Sequence, residues 1–281
     1  MLDKLNENIY NKKGGEVKKK KNTRRVSIIR KRNEMTRGGD NLSLHAKRAL
    51  NTIYYLLQGH QEHLNYEYVS ISFSALRKYM RLEKNERYVA IIKEALQELR
   101  QPIELHNFYH PLLDKVFEWY SLSLIDEAGF PRHGKERVAI VKLNEMLKDL
   151  ISKKIKQGNY TPLDLSIINS FRNPHASKVY EFLKSFEQYR YIDITQEYLL
   201  RILGLSETKT YQNYADLKRL LKRQIKEIKN KSDLKDITLM EGKDFAKQKI
   251  FRIIISNKGQ RTPTQFNIRA AVDEIVNRFK I

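Results

Sequence analysis

Apolar and polar positions along this chain fall into helical and alternating patterns, and the series of patterns occurs twice. From Ser43 to Leu57 an N-cap candidate precedes apolar residues at helical spacing, which predicts an amphipathic helix over about 44–58. A like helix is predicted over about 175–189. Each leads to a short β segment, 69–72 or 191–195, whose polar Ser72 or Thr195 can cap the shorter helix that follows. A third helix comes next in each half. Stretches rich in β-branched and aromatic residues close the series: Lys115 to Leu124 and Arg137 to Val141 in the first half, Asp236 to Met240 and Ile250 to Ile255 in the second.

Sliding the chain along itself aligns the halves. Tyr68-Val69-Ser70-Ile71-Ser72 with Leu76, Leu82 and Tyr88 matches Tyr191-Ile192-Asp193-Ile194-Thr195 with Leu199, Leu205 and Tyr211 at an offset of 123. Further on, Leu96-Gln97-Glu98-Leu99-Arg100 matches Ile225-Lys226-Glu227-Ile228-Lys229 at an offset of 129, and upstream His45-Ala46 matches His175-Ala176 at 130. The halves read as diverged copies of one unit. Helix, strand, helix, helix, hairpin is the winged variant of the helix-turn-helix, whose third helix enters the DNA major groove while the hairpin follows the backbone. The expected fold class is α+β, with two tandem winged-helix domains related by internal duplication. The expected limits are a basic flexible arm over 1–37, a first domain over 38–158, a second over 159–260 and a helical tail over 261–281.

Charge separates the two third helices. Residues 84–101 carry four basic and three acidic side chains, whereas residues 209–229 carry seven and two, which marks the second copy as the DNA reader. At about 100° per residue, Tyr214, Leu217, Leu221, Ile225 and Ile228 form one apolar stripe for the domain core. The opposite face carries Gln212, Ala215, Arg219, Lys222, Arg223 and Lys226, with Asp216 at its margin. Arginine pairs bidentately with guanine and glutamine with adenine, and a small residue lets the backbone meet a thymine methyl. Base contact is accordingly expected from Gln212, Asn213, Asp216, Arg219 and Arg223, and phosphate contact from Lys209, Lys222 and Lys226. The second wing adds Lys243, Lys247 and Lys249 to the phosphate set. In the first copy Arg87, Lys93 and Arg100 stand among Glu94 and Gln97, a mixture suited to weaker DNA contact or to a dimer surface.

The whole chain supports a polyanionic partner. Its 281 residues hold 54 Lys and Arg against 33 Asp and Glu, a net charge of +21. Residues 1–37 alone hold 13 basic and 4 acidic side chains, including the run Lys18-Lys19-Lys20-Lys21, which serves either non-specific phosphate attraction or solubility. The absence of Cys excludes disulfides, thiolate metal sites and cysteine nucleophiles. No apolar run approaches the ~18–20 residues of a membrane-spanning helix, and Met1 to Asn8 do not resemble an export signal, so a cytoplasmic protein is expected.

These residues carry a family resemblance. Leu42-Ser43-Leu44-His45-Ala46-Lys47-Arg48-Ala49-Leu50-Asn51, Ala176-Ser177-Lys178-Val179-Tyr180-Glu181-Phe182-Leu183-Lys184-Ser185 and Leu199-Leu200-Arg201-Ile202-Leu203-Gly204-Leu205 are the principal matching stretches. Further matches are Tyr211 to Ile228 and Ser232-Asp233-Leu234. Over about Thr36 to Asn257 the chain resembles the initiator proteins of iteron-containing plasmids, the family of the F-plasmid, Pi and pPS10 initiators. The resemblance implies two winged-helix domains, binding as a monomer to directly repeated origin sites, and opening of the duplex with a host replication initiator and helicase. It also implies repression of its own gene as a homodimer, with the second domain reading the repeat and the first forming the dimer interface. The sequence departs from the family's commoner pattern in its basic arm and in Lys229, where an Asn often follows Glu-Ile.

Catalytic readings find no support. Gly134-Lys135 and Gly242-Lys243 lack the upstream Gly and following Ser or Thr of a nucleotide-binding loop. A strand-nicking enzyme needs His-apolar-His and a nearby Tyr, and His60-Gln61-Glu62-His63 has the wrong spacing. His106 and His110 would share a helical face, yet they follow Pro102 in a β or turn segment. No cofactor and no metal are expected. Leu143 to Ile155 reads as a helix leading into a semi-rigid junction, and the tail from Phe266 to Ile281 either packs on the second domain or docks on a host replication protein. The reading is a plasmid replication initiator without catalytic activity; the alternatives are a winged-helix transcriptional repressor and a rolling-circle nicking enzyme.

Overall fold

The computed structural model describes residues 27–110, 113, 115–132, 137–152, 160–242 and 249–255. The described chain begins with strand β1 (Ile28–Arg32) and a short helix α1 (Asn33–Arg37). Then come α2 (Leu44–Gly59), a 3-10 turn (Gln61–Asn65), β2 (Val69–Ser72), α3 (Phe73–Tyr79) and α4 (Tyr88–Leu99). Ser43 and Ser72 cap α2 and α3, accepting from the Ala46 and Ala75 N–H groups at 3.2 Å each. A long hairpin follows, β3 (Pro102–His110) with β4 (Lys115–Ser123), and after it β5 (Ile125–Gly129), β6 (Val138–Leu143) and α5 (Glu145–Ile151).

The first wing differs from the sequence expectation. Residues 115–123 pair with 102–110 as a separate two-stranded sheet, and the strand that pairs with β6 is β5. Periodicity identifies a strand but not its partner, so an inserted hairpin and a wing look alike in sequence. The three-stranded sheet is ordered β2-β6-β5, all antiparallel, with Val69 opposite Val141 and Ile71 opposite Ala139. These apolar residues are buried in alternation along β2 and β6, so one face of the sheet lies against the helices.

The second half runs β7 (Tyr160–Asp164), α6 (Leu165–Ile168), α7 (Pro174–Lys184), β8 (Tyr191–Thr195) and α8 (Gln196–Ile202). It continues with α9 (Lys209–Gln212), α10 (Tyr214–Lys231), β9 (Thr238–Glu241) and β10 (Ile250–Ile254). Its sheet is ordered β8-β10-β9, the same topology as β2-β6-β5. The expected helix over 209–229 is broken once, because Asn213 adopts extended backbone and caps a new helix with its side chain. Similarly, α7 ends at Lys184 rather than about 189, and α5 spans Glu145–Ile151 rather than 143–155.

The duplication extends to backbone devices whose donors lie 123 residues apart. Phe73 N–H donates to Arg137 O and Gln196 N–H to Lys249 O, each at 2.9 Å, tying the start of the short helix to the strand that returns from the wing. Leu82 N–H reaches Arg77 O and Leu205 N–H reaches Leu200 O, each at 2.8 Å. The turn between these helices takes positive φ in both copies, 61° at Arg81 and 65° at Gly204. Only the second copy uses the residue that adopts this conformation without cost.

The arm does not extend to residue 37. β1 pairs antiparallel with β7, from Ile28 opposite Asp164 to Arg32 opposite Tyr160, and Ile29 and Leu163 are fully buried there. Both strands alternate buried and exposed positions, a pattern that five residues among many lysines do not advertise. Residues 28–41 thus lie between the two winged-helix units. Arg32 pairs with Asp149 of α5 at 2.9 Å, while Arg37 donates to Ser185 O at 3.0 Å and stacks 4.2 Å from the Phe186 ring centre. At Gly39 the backbone lies so close to Arg201 O that no Cβ fits. One buried cluster of apolar side chains runs through both units, from Ile53 and Leu96 to Leu183 and Ile228. The tail over 261–281, the junction 153–159 and the arm over 1–26 lie outside the described residues.

Candidate nucleic-acid interface

Helix α10 is fixed at its start by two neighbours. Asn213 Oδ1 accepts from Ala215 N–H at 2.9 Å, and the Tyr214 ring stacks on Phe251 of β10 with centres 4.8 Å apart. Burial pushes the Tyr214 hydroxyl up from its ordinary range, which leaves it neutral beside Lys218. Leu217, Leu221, Ile225 and Ile228 are buried as the stripe predicts, with Leu220 and Gln224 added to it. The opposite face then points to solvent with Ala215, Arg219, Lys222, Arg223 and Lys226 all exposed.

Three of those cations are unengaged. Lys222, Arg223 and Lys226 make no side-chain hydrogen bond or ion pair among the described residues. Arg219 Nη1 pairs with Asp216 Oδ1 one turn earlier at 2.9 Å, and its side chain is 71% exposed. A surface pair of this kind contributes about 0.3–0.5 kcal/mol. A bidentate guanine contact contributes ~1–3 kcal/mol, so a base can draw Arg219 away. Asp216 is half-buried at the margin of this face, where the helical spacing puts it.

Gln212 and Asn213 are placed differently from the rest of the expected base-reading set. Gln212 Nε2 donates to Ser206 O at 2.5 Å, and its own carbonyl accepts from Gln196 Nε2 at 2.6 Å. The side-chain oxygen of Asn213 is engaged as the helix cap. Lys209 is exposed on α9, and Lys249 is exposed at the foot of β10, its Nζ 5.9 Å from the Tyr214 ring centre. Lys243 and Lys247 lie outside the described residues.

Beside α10 lies a feature that the sequence reading does not include. A cleft of about 320 Å³ is lined by Thr195, Gln196, Glu197, Leu200, Ser206, Gln212 and Lys249, where α8, α9 and the wing strand meet. The first unit has its counterpart, about 490 Å³, lined by Ser72, Phe73, Ser74, Arg77, Lys78, Glu83, Tyr88 and Arg137. Ser72 and Phe73 are the partners of Thr195 and Gln196 at the offset of 123, so the repeat contains the signal for both clefts. Arg77 is partly engaged there, donating to Glu83 O at 2.6 Å and lying 4.4 Å from the Tyr88 ring centre.

On α4 the expected residues are also exposed, though in a different setting. Lys93 faces solvent next to Glu94 and Gln97, and Arg87 sits at the helix N-cap without a side-chain capping bond. Arg100 Nε donates to Asp126 O at 3.3 Å and is drawn towards β5. Beyond α4, the inserted β3–β4 sheet holds Trp119, 55% exposed, and both outer edges of that sheet are unpaired among the described residues. His110 in this hairpin uses both ring nitrogens, Nε2 with Tyr120 OH at 3.0 Å and Nδ1 accepting from Leu113 N–H at 3.2 Å. Among the described residues no three His, Asp or Glu side chains converge as a metal site, and no helix is long and apolar enough to cross a membrane.

Comparison with known proteins agrees with this architecture. The family described as "Initiator Replication protein, WH1" matches residues 28–184, which begins at β1 and so includes the stretch between the units. Among solved structures, a Pi initiator protein in complex with iteron DNA superposes with a TM-score of 0.55 at 14% identity, covering 83% of this chain and 99% of that one. Domains 2 and 3 of RctB align more loosely, with a TM-score of 0.46 at 8% identity over 76% of this chain and 81% of that one. No curated protein matches the sequence.

Proposed function

The chain belongs to the initiator replication protein family, and on that premise we propose that it initiates plasmid replication by binding directly repeated duplex sites at the origin. The observation that carries this reading is the row Arg219, Lys222, Arg223 and Lys226, exposed along the third helix of the second winged unit. Arg219 and Arg223 read bases, with Asp216 beside Arg219; Lys209, Lys222 and Lys226, with Lys249 and the wing residues Lys243 and Lys247, contact phosphates. Gln212 and Asn213 contribute through their remaining polar groups and by fixing where the helix begins.

The first unit lays its Arg77, Lys78 and Arg137 cleft and the side chains of Arg87 and Lys93 along the backbone of the same duplex. The inserted hairpin, with Trp119 and its open strand edges, is the surface through which the protein dimerises and represses its own gene. Origin opening then proceeds with a host initiator and helicase, and the chain supplies binding rather than catalysis. The relative solved with iteron DNA supports the repeated-site reading.

Selection of binding sites from random duplex DNA at about 150 mM salt, which suppresses weak phosphate-only binding, tests this directly. The expected winner occurs as several direct repeats beside the gene. A single inverted pair would make the protein a repressor, and no enriched sequence would remove the base-reading assignment. Lys222→Ala should weaken all duplexes alike and flatten the salt dependence by about 0.9 in log–log slope.

A further inference from the structure

Five charged side chains gather where the two winged units meet, four of them buried and Asp40 partly buried. Lys31 of β1 pairs with Glu181 of α7 at 3.0 Å, with side-chain exposures of 5% and 4%. Asp40, just before α2, engages Lys47 of α2 through Oδ1 and Lys178 of α7 through Oδ2, the latter at 3.3 Å. Lys178 Nζ also donates to Met35 O at 2.9 Å. Three lysine amines face two carboxylates here, and burial pushes Lys31 down from its ordinary range against the pull of Glu181 beside it.

The placement of Asp40 is unlike that of the other members. Its two oxygens reach lysines on different units, Lys47 on the first and Lys178 on the second. Loss of this carboxylate would leave the buried ammoniums of Lys47 and Lys178 without their shared counter-charge, with Glu181 already taken by Lys31. Removing one partner of a buried network is far costlier than the network's net contribution. Burial by itself would raise the Asp40 carboxyl, but Lys47 and Lys178 beside it hold it well below the usual carboxylate range. Its neighbour Gly39 lies backbone to backbone against Arg201, and the Asp40 carbonyl lies against Gly204, so the bridge sits where the two units approach closely.

We infer that Asp40 is a positioning residue that locks the two winged units in one relative orientation, so that both engage a single DNA site in fixed register. This rests on the proposed reading that both units touch the duplex. A rigid link makes the second engagement intramolecular, and its gain in affinity disappears when geometry no longer holds the two surfaces together.

The absence of Cys allows the test to be made with spin labels at Glu86→Cys and Glu207→Cys, exposed positions in the first and second units. Without DNA, the full chain diluted with excess unlabelled chain, so that only distances within one protomer are read, should give one narrow distance distribution, and Asp40→Asn should broaden it while the helical circular dichroism stays unchanged. Should Asp40→Asn fail to fold, Lys178→Met leaves the Asp40–Lys47 pair in place while removing the second-unit arm of the bridge together with the bond to Met35 O, and should broaden the distribution likewise. A distribution as narrow as that of the unaltered bridge in a folded variant overturns the inference.

A binding measurement separates this result from failure of the functional reading. On the selected site, unlabelled Asp40→Asn should bind on the order of a hundredfold more weakly, yet hold the part of the site covered by the second unit as tightly as the unaltered chain. Equal weakening on both DNAs overturns the positioning role. If the unaltered chain binds the full site no better than the part site, the first unit does not engage DNA; that refutes the two-unit reading, while the distance distributions still decide the bridge.

Discussion

The third helices α4 and α10 agree on the inside and disagree on the outside. At positions 129 apart, Ile92, Ala95, Leu96 and Leu99 are buried in the first unit, as are Leu221, Gln224, Ile225 and Ile228 in the second. On the outer face the same offset sets Ala90 against Arg219, Glu94 against Arg223 and Gln97 against Lys226, while Lys93 and Lys222 agree. Packing against the core helices α2 and α7 constrains the inner face of either copy, because volume changes there cost several kcal/mol. The outer face is free of that constraint. Two copies of one fold can therefore diverge into a base reader and a supporting unit without disturbing either core.

The largest expected effect falls on that outer face. Arg219→Ala combined with Arg223→Ala should lower affinity for the selected site by about 10- to 100-fold for each arginine–base pairing removed, from ~1–3 kcal/mol apiece. In the first unit, Lys93→Ala combined with Arg100→Ala should cost about fivefold or less for each contact removed, since an exposed charge pair contributes up to ~1 kcal/mol. Competition titration measures both, and equal effects would break the asymmetry. Next in size, Gly204→Ala should destabilise the protein by about 2 kcal/mol or more. It imposes a left-handed conformation costing ~1–2 kcal/mol and sets a Cβ 2.8 Å from Asp40 O. Thermal unfolding should register a fall of several degrees.

Smaller effects sharpen the comparison. Asn213→Ala removes the cap of α10 and should cost ~1 kcal/mol in chemical denaturation, an effect with no counterpart at Arg87, which makes no side-chain capping bond. Smallest, and opposite in sign, Arg81→Gly should raise stability by up to about 1 kcal/mol, because the first copy holds an arginine where the second holds glycine at the same positive φ. Its side chain donates to Ser166 O at only 3.4 Å, a weak compensation. A fall in melting temperature on Arg81→Gly would mean that this hydrogen bond outweighs the strain.

How much of the structure is legible in the sequence follows from how far apart the determining residues lie. The caps at Ser43, Ser72 and Thr195, the apolar stripe of α10 and its basic outer face are set within a few residues, and each appears in the structure where the spacing puts it. The repeat exposes the common topology for the same reason. By contrast, β1 reads as part of a charged arm because its partner β7 lies more than a hundred residues away, and β4 reads as a wing strand because pairing leaves no local mark. The Asp40 bridge is equally hidden, since Lys47 and Lys178 lie far apart in sequence and nothing local marks either as the partner of Asp40. At Gln212 the residue type suggests adenine recognition, whereas its side-chain amide bonds to Ser206 O, an interaction across a turn that helical phase does not encode.

The pairing of Ile28 with Asp164 also imposes an order on assembly. As the chain leaves the ribosome at about 5–20 residues per second, β1 is complete on the order of ten seconds before any residue of β7 exists. During that interval the first winged unit can gather its local helices and hairpins, while β1 remains an open strand edge carrying the fully buried position of Ile29 without its cover. Closure across so long a loop is entropically slow compared with folding inside either half. The seam between the units is therefore the last part to form, and each newly made molecule acquires its two separate folding units before it acquires a fixed geometry between them.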